Sequence, residues 1–331
     1  MRWSINKSKT FAKCQRKWYF SEIVANPRAK EGVRREAYLL KQLKSIYAWR
    51  GSLVDNVIQN KITPNLSQHI VPSEGDVIKY ALDLMNSQIC FGKENKYRCE
   101  GVTKSKVGDA YCALYDMYYK GQLDKSLLKN AEKDIILSLK NLLNSNIITE
   151  IAKDNLRVVS QRTLSYRFFD GENIVCVPDM IVFFENKTPL IIDWKVHTYG
   201  NSDAWLQLGI YAVALSKISP HKDFPENFSD ISKDPSKIGL LEFQLLKNVQ
   251  REYSISGEDV LDIEDYMLTS ITQIKNLVKG RGFSDLDKDI FKTSRNPYNC
   301  KSCQFKSLCW RNENVPKLKH FQQTLFGGIL A

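Results

Sequence analysis

At Arg157 the spacing of apolar residues changes from three and four to two, and that switch divides the chain into a helical first half and a segment that must form sheet. From Tyr80 to Lys153 the spacing is helical, and DKSLLKNAEKDIILSLKNLLNSNIITEIAKD is its most amphipathic run. Residues 5–25 and 33–62 also read as helices, the first carrying Cys14 and offering Ser8 or Thr10 as its cap. Beyond Arg157, RVVSQRTLSYRFF, NIVCVPDMIVFFE and LIIDWKV are separated by a glycine turn and a turn at 186–189, which predicts three consecutive strands. Ser202 and Asp203 then open a helix over SDAWLQLGIYAVALSK, and a polar loop covers 219–236. IGLLEFQLL and REYSIS follow as a β pair, and a helix over 257–279 leads to the last cysteines.

Charge is distributed unevenly along these elements. Residues 1–50 hold thirteen Lys and Arg against three Asp and Glu, and residues 291–331 hold seven against one. Of the whole-chain charge of +11, the middle therefore carries −5, so the basic character belongs to the two ends. A basic protein of this kind favours polyanions, nucleic acid first among them. The first residues lack the apolar block of a secretory signal, and no stretch approaches the length of a membrane span. A cytoplasmic protein with no membrane partner is expected.

Eight cysteines without a secretion signal suit a reducing compartment. Cys300, Cys303 and Cys309 form C-x2-C-x5-C, and Cys14, also set among basic and aromatic residues, is the candidate fourth thiolate. Such a site would clamp both chain ends together and fuse their basic segments into one surface. Four thiolates accept either zinc or an iron-sulfur cluster, and ligand type alone does not separate the two.

The chemistry-bearing residues lie in the strands. Pro178-Asp179 sits in one strand and Asp193-Trp194-Lys195 ends the next, so adjacent antiparallel strands would bring the two carboxylates together. Two carboxylates at a sheet end form a hard-oxygen site for Mg2+ or Mn2+. Lys195, two residues from Asp193, shares its face of the strand and can orient a water and counter phosphate charge. Gln207 and Tyr211, spaced i, i+4, project from one helix face toward the strand end, where they can reach phosphates or a metal's water shell.

With Pro178-Asp179, Asp193-x-Lys195, Gln207-x3-Tyr211 and the four cysteines in this order, the chain resembles the PD-(D/E)XK nucleases, within them the RecB-like group of the AddB nuclease domain and the CRISPR-associated iron-sulfur exonucleases. The resemblance implies a restriction-endonuclease-like α/β core, a mixed sheet flanked by helices, with a helical lobe and an iron-sulfur clamp of 4Fe-4S type joining the ends. It implies residues 1–30 as a cluster-binding helix, 31–155 as the helical lobe, 156–290 as the nuclease core and 291–331 as the cysteine segment and tail. It further implies metal-dependent DNA hydrolysis on single-stranded or end-bearing DNA, with Asp179 and Asp193 as metal ligands, Lys195 positioning water, and Gln207 and Tyr211 orienting substrate. A helicase or other DNA-processing partner fits the same group. Where that group carries His in a G-x3-H motif, this chain runs Gly51 to Asp55, so Asp55 takes the third-ligand position. Of His69, His197, His221 and His320, only His197, two residues past Lys195, is a second-choice participant. Lys7, Lys9, Lys13, Arg16 and Lys17 are placed to track a nucleic-acid backbone, and Trp18, Tyr19 and Phe20 to pack around the cluster. Two other readings stay open: an inactive DNA-binding scaffold of the same fold, and a zinc-stabilised RNA-binding protein.

Overall fold

The computed structural model of the chain describes residues 2–185, 187–197 and 204–310. Its strands are β1 (Arg2–Trp3), β2 (Asn155–Ser160), β3 (Leu164–Arg167), β4 (Asn173–Cys176), β5 (Met180–Phe184), β6 (Leu190–Lys195), β7 (Gly239–Gln244) and β8 (Val249–Tyr253). Five of them form one mixed sheet in the order β2-β5-β6-β7-β8, and β1-β4-β3 form a smaller one. The α/β expectation is met, but the three expected strands are five.

The difference lies in two bends. β2 pairs antiparallel with β5, and β3 pairs antiparallel with β4, so the segments are two arms of one long hairpin that leaves one sheet for the other partway along. One arm bends at Gln161, whose φ of 52° lies in the left-handed region that strands avoid. The opposite arm bends at Val177-Pro178-Asp179, where proline has no amide for a ladder bond. Gln161 N–H donates to Asp179 O at 3.1 Å, which pins the two bends together. Pro178 and Asp179 therefore stand just before β5 and not within a strand.

β5 and β6 are antiparallel neighbours, Met180 facing Ile192, and β6 and β7 run parallel. A parallel pair needs a crossover, which the helix Ala204–Lys217 supplies. That helix is apolar around its circumference because it packs on both sheets and on the helix Gly257–Val278. It approaches the latter so closely that a β-carbon on Gly209 would lie 2.5 Å from Ile263 Cδ1. The proposed opening residues of the crossover helix, Ser202 and Asp203, lie outside the described residues, as does Asn186 in the turn before β6. The helix Gly257–Val278 starts at a capping box made by Ser256 and Asp259.

Upstream, the helical half is confirmed with shifted breaks. The expected first helix is split into Ile5–Lys13 and Gln15–Tyr19, with Ser4 as its cap in place of Ser8 or Thr10. Cys14 sits in extended conformation at the break and not on the helix, and its Sγ accepts from Lys17 N at 3.4 Å. The 33–62 helix is divided into Gly32–Lys41 and Ile46–Val57, the latter continued by a wide turn over Ile58–Ile62. Ile46–Val57 packs against Glu74–Lys93 and Lys125–Leu143, and one continuous apolar core joins these helices to the sheets. No helix among the described residues is long and apolar enough to cross a membrane.

Candidate active site

The bend before β5 turns the Asp179 side chain toward the end of β6. Asp179 Oδ2 accepts from the Trp194 amide at 2.9 Å, taking the place of the next rung of the β5-β6 ladder, and Oδ1 accepts from Gln161 Nε2 at 3.0 Å. Asp193 and Lys195, on the same face of β6, form an ion pair. Asp193 is only 2% exposed, and its other oxygen accepts from Gln207 Nε2 at 2.8 Å. Gln207 Nε2 also donates to Tyr211 Oη at 2.9 Å. The two helix residues are thus brought to the strand end as expected, but both are buried and hold Asp193 instead of projecting into open space.

Asp55 arrives from the helix Ile46–Val57, partly buried and within electrostatic reach of this group. Burial, then the nearby Asp193 charge, push its carboxyl up to about 6, with Lys195 and Lys44 pulling the other way. Asp179 is held well above the usual carboxylate range by burial, then by Asp193 and Asp55. Burial raises Asp193 as well, Lys195 opposes this, and Glu242 adds to it. Burial works against the Lys195 ammonium, yet Asp193, followed by Asp179 and Glu242, outweighs it and the pKa is raised. Burial is the leading cause at all three carboxyls, and repulsion between them adds to it at Asp55 and Asp179.

Four contributors escaped the sequence reading. Gln161 has been met at the bend. Arg50, buried five residues before Asp55 on the same helix, pairs with Asp134 and donates to Val196 O, which ties the Asp55 helix to the end of β6. Lys44 feels the Asp55 charge. Glu242, fully buried on β7 directly opposite Asp193, is held by Tyr253 Oη at 3.0 Å and Arg251 at 3.3 Å. A signal for Glu242 was present: Glu242-x-Gln244 in an apolar strand repeats the polar i, i+2 pattern of Asp193-x-Lys195. From the N-terminal basic run, Lys9 lowers the Asp193 pKa through its charge, while Lys7 pairs with Glu22 at 2.7 Å and Arg16 with Asp289 at 2.9 Å. His197 lies past the end of β6, His69 contacts Ala152 O at 3.1 Å, His221 faces Arg162 and Asp223, and His320 is outside the described residues.

The donor chemistry of Asp55, Asp179 and Asp193 fits a hard divalent cation, since carboxylates that raise one another's pKa are relieved by one. As the side chains stand, bonded to Gln161, Lys195 and Gln207, no group of three His, Cys, Asp or Glu among the described residues encloses an ion.

Cys14, Cys300, Cys303 and Cys309 are free thiols, each partly buried. Burial raises Cys303 and Cys309; Cys14 and Cys309 add to the first, Cys14 and Cys300 to the second. The chain ends meet around them. Tyr19 stacks on Phe291 with ring centres 4.4 Å apart, Phe20 stacks on Phe305 at 5.7 Å, and Arg16 N–H donates to Lys292 O at 3.2 Å. Trp18, Tyr19 and Phe20 are buried, as expected of packing residues.

No curated protein matches the chain. One family's sequence model fits residues 2–310, which takes in both bends, the carboxylates, the crossover helix and Cys14, Cys300, Cys303 and Cys309. The chain belongs to the PD-(D/E)XK nuclease superfamily.

Proposed function

We propose that the protein is a Mg2+- or Mn2+-dependent deoxyribonuclease acting on single-stranded or end-bearing DNA. Membership of the superfamily implies phosphodiester hydrolysis on nucleic acid, typically with a divalent metal. The observation that carries the finer reading is the convergence of Asp179, Asp193 and Lys195 at one end of β5 and β6, with Asp55 delivered from a separate helix. Asp179, Asp193 and Asp55 would hold the ion. When bound, it supplies Lewis-acid stabilisation of the phosphoryl oxygens and a more acidic water.

The chain's own residues do the rest. The Lys195 ammonium positions the attacking water and offsets charge gathering on the phosphoryl group as the new P–O bond forms and the bond to the leaving sugar oxygen breaks. Gln207, steadied by Tyr211, fixes the Asp193 carboxylate, and Gln161 fixes that of Asp179. The same reading gives Cys14, Cys300, Cys303 and Cys309 a 4Fe-4S cluster with a structural part, supported by their mutual electrostatic influence and the packed chain ends around them.

End-labelled single-stranded and duplex DNA, incubated with Mn2+ or Mg2+ and either wild type or Lys195→Ala, tests the activity. Wild type should digest DNA, and the variant, still folded by circular dichroism, should be slower by about 10²–10⁴-fold. A folded wild type that binds both substrates and leaves them intact would instead favour an inactive scaffold.

A further inference from the structure

Where the cysteine segment meets Arg16 and the short helix Tyr115–Lys120, the surface opens into a cleft of about 890 Å³. That is near the upper end of the roughly 300–1,000 Å³ typical of ligand sites. Arg16, Arg295, Lys301 and Lys306 line it, and no carboxylate does among the described residues. Arg16 is engaged by Asp289, and Lys306 lies 4.1 Å above the Tyr119 ring. Arg295 and Lys301, which line the cleft, form no ion pair among the described residues. Trp310 also lines the cleft and is 55% exposed, an open indole face among cations.

The cleft is not the interior of the cysteine site. Cys300 and Cys309 contribute to its wall, but Cys14 and Cys303 do not. A surface that sets cations beside an exposed aromatic ring matches a chain of phosphates and unstacked bases. Duplex DNA would offer the phosphates but keep its bases stacked away from Trp310, and an acidic peptide would leave the indole without a partner.

We propose that this cleft binds single-stranded nucleic acid outside the cleavage site, with Trp310 stacking on a base and Arg295 and Lys301 contacting the flanking phosphates. The inference rests on the nuclease reading and adds to it a track for the strand beyond the carboxylates. It can be measured without cleavage in the full chain carrying Asp193→Asn, with a fluorescent oligothymidylate as probe. Binding should quench tryptophan emission. Trp310→Ala should lose most of that quenching and bind about ten-fold more weakly, and Trp310→Phe should restore affinity but not quenching. Arg295→Ala combined with Lys301→Ala should reduce the slope of log affinity against log salt by about 1.4, the value for two phosphate contacts on a single strand. If the parent binds and Trp310→Ala binds equally well with unchanged quenching, the cleft assignment falls and the nuclease reading stands. Duplex that competes as well as the single strand also overturns it. If the parent neither binds the oligonucleotide nor, with Asp193 restored, cleaves DNA, the nuclease reading falls and takes this inference with it.

Discussion

Asp55, Asp179 and Asp193 each hold a proton more tightly than a free aspartate because burial opposes ionisation; neighbouring carboxylates add to this at Asp55 and Asp179, while at Asp193 the Lys195 charge works against it. Asp55 gives this a measurable consequence. Its pKa is pushed up to about 6, so the folded chain binds that proton more tightly than the unfolded chain does. The stability it contributes is full below about pH 4 and is lost as pH rises through about 6. In metal-free protein, Asp55→Asn should therefore melt higher than wild type at neutral pH, by on the order of 2 kcal/mol, and the advantage should shrink toward pH 4. Thermal melts across that range check it; a difference independent of pH would mean that Asp55 carries no raised pKa. Added Mn2+ should stabilise wild type and leave the variant unchanged. That Lys195 shares a strand face with Asp193, and Tyr211 a helix face with Gln207, was legible because strand and helix periods fix which residues share a face; the bend that carries Asp179 out of the strand was not. Gln161 and Arg50 were not, because their partners lie 18 and 84 or more residues away, and no local period encodes such pairs.

The elements were legible as types and less so at their ends. A two-residue period shows that a segment is strand, but it does not show where the strand changes sheets, since a bent arm keeps its alternation on both sides of the bend. The left-handed Gln161 and the proline opposite it decide that. Gly209 likewise looked like an ordinary residue of an apolar helix, and only the approach of the helix Gly257–Val278 gives it a role. Gly209→Ala places a methyl against Ile263 in the core, and overpacking should cost about 1–3 kcal/mol, partly offset by roughly 1 kcal/mol of helix propensity. Ile263→Val removes the clashing methyl, so the double variant should recover stability relative to Gly209→Ala. A double variant whose loss equals the sum of the two singles would show that the helices do not meet there as described.

Across the whole molecule, Arg16, Tyr19 and Phe20 pack against Lys292, Phe291 and Phe305 through stacked rings and a backbone hydrogen bond, and the proposed cluster would tie the same segments through their thiols. The two kinds of tie separate experimentally. Phe291→Ala empties a fully buried position between Trp18 and Tyr19 and should cost about 3–5 kcal/mol whether or not a cluster is present. Cys300→Ala leaves those rings in place; it should abolish iron and acid-labile sulfide, lower the melting temperature by several degrees and open the segment after Phe291 to protease. The same iron content and melting temperature as wild type would remove Cys300 from the ligand set, and one zinc per chain without iron would replace the cluster with zinc. The sequence by itself determined the helical half, the strands that follow, the Asp-x-Lys and Gln-x3-Tyr pairs and the placement of cysteines at both ends, because periodicity and short spacings are local properties of a chain. The tertiary structure alone decided that two bends turn Asp179 onto the Trp194 amide, that Arg50 moors the Asp55 helix beside β6, and that Glu242 lies across from Asp193. Those are contacts between distant segments, and they exist only once burial of the shared core has fixed how the segments lie together.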